Sequence, residues 1–528
     1  MAKGFRPVLR DQVFLMPPDM REWLPEDHLV WFVLDTVDVL DVTEFECCRR
    51  RGGVGAAGYD PRMLLGLLIY AYCHRVRSSR QIERLCCTDV AFRVLCAQDV
   101  PDHATIARFR AQCQDAFIGL FAQVLVIAGQ AGLAHFGTVA IDGTRIPANA
   151  SIDANRGGAW FTQQAAAAIS EAEQIDALED ANADQGEDAA GDRMPPGLID
   201  RSHRVERIRE AARQLAERHR RLNEHDDARD AAARERLARS QAGLPVVGCI
   251  PKGPHHLAEA RAHLAREIAA YQARAERRAA IIASGKKPMG PPPVPMDQHS
   301  HIIRARRVVA AAEAAALAAK AASERRPAHA DLPKTVANIT DPHSRVMPTR
   351  KGFIQGYNAQ VAVTSDYLIA AVQVGQSPND MSSFVPMMNA AVDAATTLHN
   401  ATALPEHKIG VLLADAGYCS NRNLAAPGPE RLIALSKSRD QSTTAQREPV
   451  TGSPPHDASP RQAMEHRLRT PEGAQLYKRR GATVEPSIGN LKTILNRFSR
   501  RGLDAALSEL NLAATAVNIM KIHRTEQT

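Results

Sequence analysis

Between Thr162 and Gly352 the chain carries a single aromatic residue, Tyr271. Ala, Arg and Glu dominate there, as in segments 207–239 and 255–278. So many helix formers with so few aromatics predict helical hairpins or coiled-coil-like arms, not a second sheet core. Any sheet must therefore be assembled from residues on either side of this stretch. The Pro-rich run 288–295 breaks it, and 186–196 is expected to be a mobile loop.

Residues 1–135 read as helical. Met63-Leu-Leu-Gly-Leu-Leu-Ile-Tyr-Ala-Tyr72 is apolar nearly all round and predicts a buried helix. Ser78-Ser79 and Asp102-His103 stand where helix N-caps belong. The layout suits a small helical domain of helix-turn-helix character. The same features also fit a helical bundle that touches no DNA.

Strand signals appear on both sides of the helical stretch. Thr138-Val-Ala-Ile-Asp142 is a β-rich run ending in a carboxylate. After Gly352, Asn358-Ala-Gln-Val-Ala-Val363 and Leu368-Ile-Ala-Ala-Val-Gln-Val374 flank Ser365-Asp366 as a hairpin. A helix over 384–398 follows. Ile409-Gly-Val-Leu-Leu-Ala-Asp415 reads as a central buried strand, again ending in Asp, and Arg431-Leu-Ile-Ala-Leu435 as another. Residues 436–468 read as loop, and 483–496 and 505–523 as helices. In the last, Leu507, Leu510, Ala514 and Val517 recur at helical spacing, as a core-packing face does. The pattern describes an α/β chain with a mixed sheet. Its expected divisions are 1–135 (helical, DNA-binding), 136–157 (first strand of the core), 158–335 (helical insertion) and 336–528 (remainder of the core).

Lys and Arg total 66 against 59 Asp and Glu, a mild basic excess that permits a polyanionic partner without requiring one. The nine cysteines show no C-x-x-C spacing. Cys47-Cys48 and Cys86-Cys87 are adjacent pairs, so reduced, mostly buried thiols are expected. His255, His256, His299 and His301 read as solvated histidines of polar loops, not ligands. The longest apolar run, 63–73, falls short of the roughly 20 residues that span a bilayer. A cytoplasmic, nucleoid-associated protein with no membrane partner is expected. No G-x-G-x-x-G or G-x-x-x-x-G-K-[ST] motif follows a strand, so no organic cofactor is expected.

Three carboxylates concentrate the chemistry. Asp142 and Asp415 each close a strand run beside small residues, where a carboxylate can hold Mg²⁺. Singly, each is better explained as a turn cap, and two such sites shift that balance only moderately. The third, Glu485, is the lone acid among Lys478, Arg479, Arg480, Lys492, Arg497, Arg500 and Arg501. Pro486 suits the first turn of a helix. On that helix Glu485 and Lys492, seven residues apart, share a face.

These residues resemble the DDE transposases of bacterial insertion sequences, in the branch with an N-terminal helical domain and a Tyr-Arg-Glu-Lys signature. The first acid matches Ala140-Ile-Asp142-Gly-Thr-Arg-Ile-Pro-Ala-Asn-Ala-Ser151. The second matches Ala414-Asp415-Ala-Gly-Tyr418 with Asn421, and the third Tyr477, Arg480, Glu485 and Lys492. Asp341-Pro-His-Ser-Arg345, Lys351-Gly-Phe-Ile-Gln-Gly-Tyr-Asn358, Asn379-Asp380 and the stretch from Tyr59 through Arg110 extend the likeness to all but the insertion. One departure stands out: four residues, not three, separate Arg480 from Glu485, so either Arg479 or Arg480 fills the arginine role.

The resemblance implies a ribonuclease H-like fold in which a central strand, its neighbour and a following helix bring the acids together. It implies two Mg²⁺ or Mn²⁺ ions held by Asp142, Asp415 and Glu485. Lys492 and Arg479 or Arg480 would contact phosphate, and Tyr477 would support the backbone. The N-terminal helices would bind the element's ends, with Arg75, Arg77, Arg80, Arg108 and Arg110 as candidate contacts. The implied partner is DNA, bound by a homodimer. The insertion would bridge protomers, clamp DNA or act as a spacer. The alternatives are an inactive end-binding remnant, against which the presence of all three acids argues, and a nuclease without strand transfer.

Overall fold

The computed structural model describes residues 19–46, 58–164, 196–244, 246, 255–324, 335–436 and 438–527. Cys47, Cys48 and nearly all of the loop expected at 186–196 lie outside them. The chain divides into two compact units, one formed by Met1–Asn155 with Asn338–Thr528 and the other by Arg156–Ala337.

In the first unit the apolar segment near the N-terminus forms the helix Pro61–Cys73, started by Pro61 and by the Asp60 carboxylate, which accepts from Arg62 N. From Leu64 onward every residue of it is buried. The helix His103–Gln112 is capped by Asp102, which accepts from Thr105 N at 2.9 Å. Ser78 occupies the N-cap of Ser79–Thr88 without a side-chain capping bond. The helix Ala116–Gln130 then leads into the sheet.

The sheet is mixed. Its centre is Thr138–Pro147 (β1). The chain leaves this unit after Asn155 and returns at Asn338 through a short ribbon of Asn155–Gly157 (β2) and Val336–Asn338 (β3). Arg345–Thr349 (β4), Gly352–Thr364 (β5) and Ile369–Gly375 (β6) follow, then Val411–Ala414 (β7) and Glu430–Ile433 (β8). β1 pairs antiparallel with β5 on one side and parallel with β7 on the other. β7 pairs parallel with β8, and β5 carries both β4 and β6 antiparallel. β1 continues five residues beyond the expected stop at Asp142, so that aspartate sits within the strand. Gly143 and Pro147 look like turn residues, yet the ladder to β5 runs on to Pro147 paired with Gly356.

The C-terminal helix Leu503–Glu526 is buried along most of its length and packs on Pro61–Cys73, Ala116–Gln130 and β6. Its Asn518 bonds both backbone groups of Ile369, accepting from N and donating to O, each at 2.9 Å. This satisfies edge-strand groups that burial would otherwise strand without partners. The N-terminal helices thus share one continuous core with the sheet, and residue 135 marks a change of topology, not of packing.

Segment 436–468, expected as loop, holds two helices, Ser438–Arg447 and Pro460–Arg469. The second carries a full capping box between Ser459 and Gln462. The helix expected at 483–496 begins twelve residues earlier and spans Pro471–Ile494. Pro486 is therefore inside it. The ring leaves the Ala482 carbonyl without its helical donor, on a face exposed to water that can replace it.

In the second unit Pro196–Gln241, His256–Ala283 and Ser300–Glu324 pack in succession. The buried contacts are mostly small: Ala211, Ala260, Ala305 and Ala312 with Leu215 and Ile302. Among the described residues there, Glu259 is buried and paired with Arg236. His255 bonds Asp230, and the His299 ring packs edge-on against Tyr271, outside any cluster of metal-binding type among the described residues. Among the described residues no single helix is long and apolar enough to cross a membrane.

Gly410 opens β7 against Gly137. A Cβ there would lie 2.4 Å from the Gly137 carbonyl oxygen. Gly410→Ala is expected to cost about 1–3 kcal/mol, because backbone must shift. A lowered urea midpoint at unchanged slope would show it, and an unchanged midpoint would refute it.

Candidate active site

β1 and β7 run parallel with Ile141 opposite Ala414. The next residue on each strand is an aspartate, so Asp142 and Asp415 stand side by side at the same level of the sheet. Asp415 Oδ1 accepts from Gly417 N at 2.8 Å, closing a turn after β7. Asp142 Oδ1 accepts from Gly143 N at 2.8 Å, and its Oδ2 pairs with Arg480 Nη1 at 2.8 Å.

The helix Pro471–Ile494 lies on β1, β5 and β7. It buries Tyr477, Val484, Ser487, Leu491 and Ile494 in a stripe of helical period. Arg480 sits at the edge of that stripe and reaches the sheet. Arg479, one position round, is exposed. The choice the sequence left between the two arginines thus falls on Arg480 as the partner of Asp142.

Burial raises the Asp142 pKa above the usual carboxylate range. Arg480 pulls it back, Asp415 pushes it further up, and the net direction is upward. Burial works against the Arg480 charge, but Asp142, with Tyr477 and Asp415, holds that guanidinium above its ordinary value.

A further carboxylate, passed over in the reading of chemistry from sequence, lies beside these two. Asp380 Oδ1 accepts from Asn358 Nδ2 at 2.7 Å and from Gln360 Nε2 at 2.8 Å. A Cβ on Gly143 would come within 2.6 Å of that Oδ1, and one on Gly417 within 3.5 Å of Oδ2. Asp380 is therefore lodged between the residues that follow Asp142 and Asp415. Tyr418 donates its hydroxyl to Gln360 Oε1. Burial and the charges of Asp380, Asp142 and Asp415 raise the Tyr418 pKa well above normal, so it remains a neutral donor.

Glu485 is on the same helix as Arg480 but on its exposed face. Its carboxylate lies over Gly481, where a Cβ would stand 3.2 Å from Oε1. Among the described residues no three His, Cys, Asp or Glu side chains converge as a metal-binding group. The structure thus brings Asp142 and Asp415 together and leaves Glu485 on the adjacent helix. Lys492 is exposed two turns beyond Glu485, and Tyr477 is buried in the core. The oxygen donors of Asp142 and Asp415 suit a hard cation such as Mg²⁺, and Arg480 pairs with Asp142 Oδ2.

The N-terminal arginines divide by role. Arg75, Arg80 and Arg108 are exposed. Arg77 binds Glu509 and the Arg497 carbonyl, and Arg110 donates to the Arg77 carbonyl at 2.8 Å. Both are held by the protein, which reduces what Arg110 can offer to DNA. With Ser78, Ser79, Arg80 and His103 they line a shallow hollow of about 420 Å³.

Two family models match the chain: a transposase domain (DUF772) over residues 18–112 and a transposase DDE domain over residues 438–523. The second contains Glu485, Arg480 and Lys492, while Asp142 and Asp415 lie between the matched segments. No curated protein and no solved structure matches the chain. Transposase models at both ends of one chain, whose N- and C-terminal helices share a single core, support a DDE transposase of an insertion element.

Proposed function

We propose that this transposase cuts DNA at the ends of its element and joins the freed strands to target DNA, using Asp142, Asp415 and Glu485. The observation that carries the reading is the register of β1 and β7, which sets two aspartates side by side beneath a basic helix carrying the third acid. A first acid on the central strand, a second at the end of its neighbour and a third on a following helix are the arrangement expected of a ribonuclease H-like core.

DDE transposases generally use divalent metal ions. Asp142, Asp415 and Glu485 would hold Mg²⁺ or Mn²⁺ here. Such ions supply the Lewis acidity that activates a water or DNA 3′-hydroxyl and stabilises the leaving oxygen. Arg480 balances the Asp142 charge until DNA arrives, then contacts a phosphate. Lys492 and Arg479, exposed on the same helix, hold the strand on either side. Tyr477 anchors the helix from within the core. Arg80 and Arg108 contact phosphates at the element's ends, so end binding weakens steeply with salt. Two copies acting on paired ends make a homodimer on DNA.

The test is cleavage of a labelled duplex carrying the element's own terminal repeat, in Mg²⁺ and in EDTA, by wild type and Glu485→Ala. Nicking that requires metal and is lost in Glu485→Ala is the expected result. Binding without cleavage in any metal would instead identify an inactive end-binding remnant, and nicking without joined products a nuclease.

A further inference from the structure

Asp380 lies beside the two aspartates but outside the three acids assigned above. It is reached from a different part of the chain, the turn after β6, and its carboxylate is fixed by two side-chain donors. Asn358 and Gln360 both come from β5, the strand next to β1, and both donate to the same oxygen, Oδ1. Asn358 and Gln360 are themselves almost fully buried, and Gln360 is held in turn by Tyr418. The carboxylate is thus oriented by a buried chain of side-chain donors, Tyr418 to Gln360 to Asp380.

Its other oxygen, Oδ2, takes no hydrogen bond among the described residues and lies on the Gly417 side, where Asp415 turns. Asp142 has Arg480 as a counter-charge, whereas Asp380 and Asp415 have no ion-pair partner among the described residues. Arg145, the nearest guanidinium along β1, is held on the Pro378 carbonyl at 2.9 Å. The carboxylate is thus fixed by one oxygen while the other lies, without a donor among the described residues, beside two more carboxylates, where arriving positive charge would be held.

Resting on the function proposed above, we propose that Asp380 is a positioning residue for the divalent cation. It adds a fixed negative charge beside Asp142 and Asp415 and, by filling the space over Gly143 and Gly417, holds the two backbone segments that carry them. The glycines follow from this role. Alanine at 143 would meet Asp380 Oδ1 at 2.6 Å and Gln360 Nε2 at 2.5 Å.

Mn²⁺ binding to the full chain without DNA, followed by electron paramagnetic resonance of the free ion, tests this. Asp380→Asn keeps the shape and can still accept from Asn358 and Gln360, so only the charge is lost. Its Mn²⁺ dissociation constant is expected to rise about tenfold or more, with an unchanged melting temperature. Should Asp380→Asn melt early, Asn358→Ala takes its place, since it frees one clamp and keeps the carboxylate. A weakened Mn²⁺ affinity in that variant supports the proposal and a wild-type affinity overturns it. Asp380→Asn that binds Mn²⁺ like wild type, while Asp142→Asn and Asp415→Asn do not, overturns the role of Asp380 alone. If the latter two also bind like wild type, or wild type takes up no Mn²⁺, the cation site itself is misplaced and both readings fall.

Discussion

Asp142→Asn and Asp415→Asn should each lower strand cleavage by at least about 10³-fold while leaving binding to the element's ends within about twofold. The reasoning starts from the strand register. Both side chains project from the same level of adjacent parallel strands, so neither can replace the other without moving the sheet. Asparagine keeps the shape and removes the charge. Asp142→Asn should also differ in stability from what loss of an ion pair suggests. Folding raises the Asp142 pKa even with Arg480 at 2.8 Å. A carboxylate so shifted is harder to ionise in the folded chain than in the unfolded one. Its ionisation therefore costs stability as pH rises through the unfolded pKa, and the cost is complete above the folded one. At neutral pH Asp142→Asn removes that cost and should melt no lower than wild type. Normal cleavage by either variant would count against placing these aspartates at the reacting centre, whereas a melting temperature several degrees lower for Asp142→Asn would show that the unpaired Arg480 outweighs the relieved carboxylate.

What could be read without coordinates was local. Val139-Ala-Ile141 and Leu412-Leu-Ala414 announce buried strands because their apolar runs are continuous, and each delivers its aspartate. The extent of β1 was not legible, because Gly143 and Pro147 carry turn signals that the long partner strand β5 overrides. The signature helix was placed from Pro486, a plausible first-turn proline. The residue that fills that role is Pro471, behind the Thr470 cap, and Pro486 is tolerated on an exposed face. The helix Pro460–Arg469 was missed although Ser459 and Gln462 spell a capping box, because only Met464 and Leu468 give it a buried side. Asp380 and Glu509 illustrate the harder limit. Their partners are Gln360 and Arg77, brought to them by strand register and helix packing that no spacing encodes.

Glu509 carries the largest expected effect on stability. Its side chain is fully buried, and it accepts from Arg77 at 3.2 Å, from Ser499 N at 2.8 Å and from Ser499 Oγ at 2.7 Å. Arg500 N completes the set at 3.3 Å. The Arg500 guanidinium reaches the Arg110 carbonyl and Gln114, while Arg110 donates to the Arg77 carbonyl. Burial and the nearby Arg110 hold the Arg500 pKa below its ordinary value, with Glu509 opposing them. Of these three guanidiniums Arg77 is the one ion-paired to the buried carboxylate, while Arg500 feels its charge and Arg110 ties the two arginine segments together. The cluster joins the N-terminal helices of one matched segment to the C-terminal helices of the other. Glu509→Ala leaves Arg77 without its ion-pair partner and the Ser499 donors without their acceptor, and should cost about 3–5 kcal/mol, read as a lowered urea midpoint. Glu509→Gln keeps two acceptor bonds at most and should fall between the two. Arg77→Met removes one charge instead of the shared counter-charge, so it should cost less than Glu509→Ala. Adding it to Glu509→Ala should restore part of the loss, since one fewer guanidinium is then left uncompensated. Strictly additive losses in the double variant would mean that the carboxylate acts through Ser499 and the helix end, not through its pairing with Arg77.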